Sequence, residues 1–449
     1  MNYDYDFFVI GGGSGGVRAA RIASQHGAKV ALAESALLGG TCVNVGCVPK
    51  KLLVMASHVR DELDDAAGFG WTVGDSSFDW PRLIANKDKE LARLRGFYRK
   101  GLDAAGVTIL QERARLISNH EIEIGSQRVS AKTILIATGG RADKPDVPGA
   151  ELAITSDDAF ALPSLPKRVL VYGAGYIGLE FAGVFRGLGA EVTVVHRSPQ
   201  VLRGFDADVS EAVADALAHR GIRFEPETTV ESVQRQAEAL RVPLSGGKNV
   251  TADVVLFATG RTPNTDNLGL EAAGVTLGQR GEVVVDTDSR SSVDNIYAVG
   301  DCTDRITLTP VAIAEGHAVA DTLFGNKRRQ ADHQLVPTAV FSQPTVATVG
   351  LTEEQARAQF SDVHIYQTRV RPMKDTLGGR EERAMFKLVV DGATDRVIGC
   401  HLVGPYVDEI IQGIAVAMRC GVTKTQLDST VGIHPSLGED LLTIRQRTR

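Results

Sequence analysis

One pattern occurs twice in this chain: a short apolar run, a glycine-rich turn, a stretch of helical length and a second apolar run. In the first copy Phe7-Phe8-Val9-Ile10 leads into Gly11-Gly12-Gly13-Ser14-Gly15-Gly16. Val17 to His26 then reads as helix with Gly27 as its stop, and Lys29 to Ala33 returns as a strand ending at Glu34. In the second copy Arg168-Val169-Leu170-Val171-Tyr172 leads into Gly173-Ala174-Gly175-Tyr176-Ile177-Gly178, followed by a helix to about Leu188, Gly189 as its stop, and the strand Glu191 to Val195. Each copy is a complete βαβ unit. Glycines at its first, third and sixth loop positions let the backbone turn tightly and approach a pyrophosphate, whose charge the helix N-terminus favours. A lone glycine fingerprint is weak evidence, but strand, glycines, helix, strand and terminal acid together point to a nucleotide loop. Glu34, 18 residues after Gly16, can accept hydrogen bonds from a ribose diol. The same count from Gly178 arrives at His196, and Arg197 and Arg203 follow. Cations there suit a 2′-phosphate, which a carboxylate would repel; the plainer alternative is two arginines in a solvated loop. Two dinucleotide folds imply two nucleotides.

A second repeat supports this. Ile134-Leu135-Ile136-Ala137-Thr138-Gly139 and Val254-Val255-Leu256-Phe257-Ala258-Thr259-Gly260 are both apolar strands ending in Ala-Thr-Gly, each closing the segment that one glycine loop begins. Pro145, Pro148 and Gly149 punctuate the connection between them, which places a boundary near residue 141. Ile296 to Asp301 is a further buried strand ending in a polar turn; Asp301 either binds a cofactor hydroxyl or caps a helix starting near Thr309. At 449 residues the chain is too long for one ordinary core. A net charge of −6 with mixed signs offers no basic stripe, so nucleic-acid binding is not expected. No apolar segment is long enough to span a membrane, and the first strand starts near Asp6, so a soluble cytoplasmic protein without a targeting peptide is expected.

Between the glycine loops lies Gly39-Gly40-Thr41-Cys42-Val43-Asn44-Val45-Gly46-Cys47-Val48-Pro49-Lys50-Lys51. In a regular helix residues i and i+5 stand roughly 8–9 Å apart, beyond the reach of a disulfide, so a bridge here requires a distorted segment. Asn44 and Gly46 favour irregular backbone, and Pro49 suits the first turn of a helix through Leu52-Leu53-Val54-Met55. By spacing alone the pair is a redox-active dithiol, two unrelated buried cysteines or half of a zinc site. The other cysteines, Cys302, Cys400 and Cys420, are isolated and complete no metal site, and five scattered cysteines suit a reducing compartment.

Taken together, the first glycine loop, Gly39 to Lys51, Gly173 to Glu180, Ala258 to Arg261, Ala298-Val299-Gly300-Asp301 and Ile433-His434-Pro435-Ser436-Leu437-Gly438-Glu439-Asp440 resemble the FAD-dependent pyridine nucleotide-disulfide oxidoreductases over essentially the whole chain. The Val48-Pro49-Lys50-Lys51 continuation and the arginines after the second fold resemble the branch that reduces glutathione disulfide with NADPH. The resemblance implies an α/β fold with two Rossmann-like domains and a C-terminal α+β dimerisation domain. Its expected divisions are an FAD domain at 1–140, an NADPH domain at 141–263, a central segment completing the FAD domain at 264–334 and an interface domain at 335–449.

It further implies FAD contacts at Gly11, Gly13, Ser14, Gly15, Gly16, Glu34, Gly40, Thr41, Cys42, Lys50, Thr138, Gly139, Asp301, Leu308 and Thr309. NADPH contacts are implied at Gly173, Gly175, Tyr176, Ile177, Glu180, Arg197, Arg203, Gly260 and Arg261. Cys47 resembles the flavin-side thiol and Cys42 the interchange thiol of a redox disulfide. Lys50 and Glu180 resemble an ion pair beside the flavin, and Tyr176 resembles its aromatic lid. Ser14, Arg21 and Tyr98 match substrate-side positions, with His434 and Glu439 reaching the disulfide from the partner of a homodimer. Two departures stand out. His317 replaces an arginine common in the branch, for which Arg18 is a candidate substitute, and Gly178 stands where NADPH-preferring relatives often carry alanine. Two rivals to glutathione reduction remain at this level: reduction of another small disulfide, and a non-catalytic flavoprotein subunit.

Overall fold

The computed structural model describes residues 2–449. The chain forms two compact units: one comprises the chain up to Lys50, Arg82–Asp143 and Gly260–His333, the other Lys51–Pro81, Lys144–Thr259 and Gln334–Arg449.

In the first unit β1 (Tyr5–Ile10), α1 (Ser14–Gln25) and β2 (Val30–Ala33) form the expected βαβ, with the helix starting three residues earlier than Val17. β1 pairs in parallel with β2 on one side and with the strand Gln127–Ile136 on the other. Ile296–Ala298 adds a further parallel strand, and Thr108–Leu110 lies outside β2. Successive β1 residues feed two different cores, because side chains of a strand alternate in direction. Phe7 and Val9 pack with Ala19, Ala20 and Ala23 of α1, while Phe8 and Ile10 pack with Ile134, Ile136 and Ile296 on the opposite face. Both phenylalanines are fully buried, each contributing about 1.5–3 kcal/mol relative to exposure. This two-sided burial is why β1 reads as a continuous apolar run.

The small residues of α1 let the Thr309–Phe324 helix pack closely against it. A Cβ on Gly316 would lie 2.4 Å from the Gly15 carbonyl oxygen.

The second unit repeats the arrangement. Arg168–Tyr172 pairs in parallel with Glu191–Val195 and with Val254–Phe257, and the helix Tyr176–Gly187 makes the crossover. A five-stranded antiparallel sheet, in the order Thr338–Val340, Val346–Gly350, Val397–Val403, Ala384–Asp391 and Val363–Val370, forms the C-terminal α+β portion. The helix Val407–Arg419 covers its inner face through Val407, Ile411, Ala415 and Met418. Among the described residues no helix is long and apolar enough to cross a membrane.

Candidate active site

The cysteine segment folds as two helices with a break. Gly39 (φ +98°) is the N-cap of α2 (Gly40–Asn44), Val45 leaves helical geometry at φ −142°, ψ 35°, and α3 (Cys47–Asp65) begins at the second cysteine. Asn44 does not itself form the break. It closes α2 and donates through Nδ2 to the carbonyls of Leu38 (3.1 Å) and Gly40 (2.9 Å). Gly46 has no room for a side chain, since a Cβ would sit 2.8 Å from the Thr41 oxygen. This kink replaces the separation a straight helix would impose and brings the two thiols into hydrogen-bond contact.

Both cysteines are free thiols and differ in character. Cys47 is held below the ordinary thiol pKa, first by the hydrogen bond from Cys42, then by the Thr309 hydroxyl and the Lys50 charge, against opposing burial. Its place as first residue of a 19-residue helix adds the positive end of the helix dipole. Cys42, which gives its proton to that bond, is raised by it and by burial. The hydrogen bond thus favours negative charge on Cys47 and the proton on Cys42. The Thr309 and Ser14 hydroxyls act to lower the Cys42 pKa, and the Thr309 hydroxyl lies 3.5 Å from the Cys47 sulfur. Tyr98, on α4 (Trp80–Ala104), has its hydroxyl pKa raised by burial and by the nearby cysteines and lowered by Arg18.

The first glycine loop abuts this segment, for a Cβ on Gly40 would fall 2.7 Å from the Gly13 Cα. Gly11 adopts φ +111° with its missing side chain aimed at the Ala137 oxygen, 2.3 Å from where a Cβ would lie, and a Cβ on Gly16 would lie 2.0 Å from the Gly11 oxygen. Glu34 accepts from the Gly12 N–H (2.8 Å) and the Ala36 N–H (2.7 Å), so it organises the loop as well as facing outward from its strand end. Asp301 lies in the turn Gly300–Thr303; burial raises its pKa while Arg261 lowers it. It does not cap the following helix, whose N-cap is Leu308 with no side-chain cap bond.

Gly260 and Arg261, expected beside the second nucleotide, belong to the first unit. There Arg261–Pro263 pairs with Gly140–Ala142 and the Arg261 guanidinium donates to the Gly140 carbonyl. Arg21 packs over Gly101 of α4. On the Thr309–Phe324 helix, His317 lies 3.5 Å from Asp321. Its pKa is lowered by burial, with Arg18 among the charges acting on it. Arg18 therefore lies within electrostatic reach of both Tyr98 and His317.

In the second unit Gly173 (φ +119°) would place a Cβ 2.3 Å from the Ala258 oxygen, and Gly178 one 2.0 Å from the Gly173 oxygen. Gly178 therefore packs directly on the first glycine of its loop. Tyr176 opens the crossover helix and is partly exposed, with Ile177 beside it. Glu180 is buried and accepts from the Phe341 N–H at 2.9 Å. His196 is buried with its Nδ1 unpaired, while Arg197 and Arg203 are exposed. Leu202 (φ +49°) and Gly204 (φ +92°) shape the loop that presents Arg203, and the Leu202 N–H donates to the Ala174 carbonyl. Near the C-terminus His434 Nδ1 faces the Glu439 carboxylate at 3.0 and 3.2 Å, leaving Nε2 open on a side chain 81 % exposed. Glu439 is itself steadied by a capping box with Ser436.

These residues fit the two dinucleotides. The loops at Gly11 and Gly173 leave N–H groups and no side-chain bulk where a pyrophosphate would approach. The Thr138 hydroxyl is buried without a hydrogen-bond partner in the first unit, and His196 Nδ1 is its counterpart in the second. Buried polar atoms left unpaired are rare and are commonly satisfied by a ligand or water. Among the described residues no cluster of three or more His, Cys, Asp or Glu side chains is arranged to hold a metal.

A doubly nucleotide-binding α/β fold with a kinked dithiol on its first glycine loop defines a flavin-linked disulfide oxidoreductase. Residues 5–316 match the pyridine nucleotide-disulphide oxidoreductase family model and residues 336–445 that family's dimerisation domain, and the chain belongs to this family. It is 53 % identical to a glutathione reductase of Burkholderia cepacia over 447 residues, covering 100 % of both chains. It is 49 % identical to a glutathione reductase of a Nostoc species, covering 99 % of this chain and 100 % of that one. Against a chloroplastic/mitochondrial glutathione reductase of Pisum sativum it is 46 % identical, covering 100 % and 83 %.

The positions of Thr309 and Ser14 at the thiols were not legible as such. Both were expected at the flavin and Ser14 also at the substrate, but nothing in their sequence neighbourhood marks a hydroxyl aimed at a sulfur 262 positions away in the case of Thr309 and Cys47.

Proposed function

We infer that this chain reduces glutathione disulfide to glutathione with NADPH, electrons passing through FAD to a Cys42–Cys47 redox disulfide. The observation that carries the reading is the kinked cysteine pair, with Cys47 as the first residue of a helix and the Thr309 hydroxyl 3.5 Å from its sulfur, in a chain similar along its whole length to glutathione reductases. FAD supplies the two-electron relay between the nicotinamide and the disulfide.

The first loop with Glu34, Thr138 and Asp301 holds the flavin dinucleotide, and the second with Tyr176, Arg197 and Arg203 holds NADPH. By ligand and interface, residues 1–140 and 264–334 are assigned to the FAD domain, 141–263 to the NADPH domain and 335–449 to the interface domain, although compactness groups Lys51–Pro81 with the second unit and residues 260–263 with the first. Lys50 supplies positive charge beside Cys47. Once the pair is reduced, an imidazole takes the Cys42 proton as the Cys42 sulfur attacks one sulfur of glutathione disulfide, giving a Cys42–glutathione mixed disulfide and one glutathione thiolate, to which the imidazolium returns that proton. The Cys47 thiolate then attacks the Cys42 sulfur, restoring the Cys42–Cys47 bond and releasing the second glutathione as a thiolate, which takes its proton from water. The electron pair originally in the protein dithiol thereby ends in two glutathione thiols.

His434 is the imidazole, oriented by Glu439, and it acts on the dithiol of the partner subunit in a homodimer. Two features support this: its open Nε2, and the flanking apolar residues Val431 and Ile433, 93 % and 80 % exposed, which a second subunit would cover. Substrate carboxylates meet Arg21, with Arg18 supplying the cation missing at His317. Five cysteines at scattered spacing, an odd number, suit a reducing, cytoplasmic setting. Mixing inactive Cys42→Ser chains with inactive His434→Ala chains tests the shared site. Verified subunit exchange should restore glutathione-disulfide turnover, since one of two sites in a mixed dimer holds both groups. No recovery would refute it.

A further inference from the structure

Glu315 is 1 % exposed and lies on the Thr309–Phe324 helix directly before Gly316, the residue that touches Gly15 of the first glycine loop. Its carboxylate collects three donors. Oε2 accepts from the Gly300 N–H at 2.7 Å, and Oε1 is 2.8 Å from Arg305 Nη2 and 2.7 Å from His333 Nε2. Arg305 runs onward through Nε to the Thr303 hydroxyl (3.3 Å), which donates back to the Gly300 carbonyl (2.8 Å). The result is a closed ring through Glu315, Gly300, Thr303 and Arg305 that grips both ends of the Gly300–Thr303 turn, with Asp301 inside it. Gly300 sits at φ +75°, so the turn has a conformation that few residues would hold unaided.

We propose that Glu315 is a positioning residue for the flavin, acting through Asp301. It registers the Gly300–Asp301 turn against the first glycine loop, so that the two anchoring points for one extended dinucleotide keep a fixed separation. Burying a carboxylate is costly unless it is paired and fully hydrogen-bonded, and this one is held by two basic groups and a backbone amide. The proposal rests on the reading that Asp301 and the first loop bind FAD.

The test is equilibrium binding of FAD to flavin-stripped full-length protein, followed by flavin fluorescence. Asp301→Ala should weaken FAD by about tenfold or more, and Glu315→Ala by a similar factor, on the scale of a hydrogen bond to a charged group. Glu315→Gln keeps an acceptor for the Gly300 N–H and should recover most of the loss. The double variant Asp301→Ala/Glu315→Ala should bind no more weakly than Asp301→Ala alone, because the second residue acts through the first. A general structural role would instead multiply the two losses and overturn the proposal, as would FAD affinity in Glu315→Ala equal to the unmutated protein. Should Glu315→Ala not fold, the paired variant Arg305→Met/Glu315→Leu leaves neither of these two charges unpaired. It should still lose FAD affinity, and unchanged affinity would overturn the proposal. Unchanged affinity in Asp301→Ala marks a different failure, that of the flavin-site reading itself.

Discussion

The two glycine loops can be laid over one another almost residue for residue. Gly11 and Gly173 adopt φ +111° and +119° and would each place a Cβ 2.3 Å from the carbonyl of the alanine that follows the neighbouring strand, Ala137 or Ala258. Gly16 and Gly178 would each place one 2.0 Å from the carbonyl of the first glycine, and Gly13 and Gly175 are N-caps of the same extended geometry. The difference lies at the end of the second strand. There the first copy has Glu34, tied to Gly12 and Ala36, and the second has buried His196 followed by exposed Arg197 and Arg203. The glycine geometry is therefore common to both copies, and the charge at one strand end is where they differ, which we propose is what distinguishes the nucleotides.

The strongest way to break this comparison is to fill one cradle at a time. Gly173→Ala imposes both a disfavoured φ and a clash with Ala258, together worth roughly 2–6 kcal/mol, so NADPH binding should fall by about thirtyfold or more with full flavin content retained. Gly11→Ala should do the reverse, yielding colourless protein. Flavin loss from the Gly173 variant, read by absorbance, would show that the loops are not independent.

Exchanging the charge is next in size. Arg197→Leu/Arg203→Leu removes charge-assisted bonds of roughly 1.5–3 kcal/mol each. The Michaelis constant for NADPH should rise at least about tenfold, while that for NADH, which has no 2′-phosphate, stays nearly constant. A parallel rise for both coenzymes would count against the phosphate role.

Glu34→Gln should weaken FAD by about tenfold, because its charged bond to the Gly12 amide is weakened and Ala36 loses a carboxylate partner. NADPH affinity measured on the same protein after flavin reconstitution should not move.

The smallest effect belongs to His196, whose pKa burial pushes below the usual 6.5. The folded state prefers the neutral ring, so the unfolded chain takes up the proton first as pH falls. This contribution to stability is complete above 6.5 and lost as the pH drops below that value towards the lower folded pKa. His196→Phe should make the acid-side decline of the unfolding temperature slightly shallower, and an unchanged slope would show that the ring does not titrate in this window.

The dithiol offers a different lesson in legibility. That Cys42 and Cys47 needed a distorted segment followed from spacing alone, since helical geometry forbids the bridge, and Gly46 sits at the break as expected. Which of the two is favoured as the thiolate did not follow. Cys47 is favoured because α3 starts at it, because Lys50 lies one turn along and because Thr309 arrives from far along the chain. Likewise His317 looked like a missing cation, whereas packing of α1 on the Thr309–Phe324 helix brings Arg18 within reach of the same region.

What the sequence by itself determined was everything written in local sterics: both βαβ units, their glycines, the kink between the cysteines and the strand-end charges. Each depends on residues within about one supersecondary unit, where a missing Cβ or a period of two leaves a direct trace. Only the tertiary structure decided the partners drawn from distant segments, namely Thr309 at Cys47, Glu315 with Gly300 and His333, and Arg261 beside Asp301. It also decided that Lys51–Pro81 joins the second unit although α3 begins in the first. Such contacts arise when whole helices and sheets bury their apolar faces together, and that packing brings polar side chains into register at positions that no local periodicity encodes.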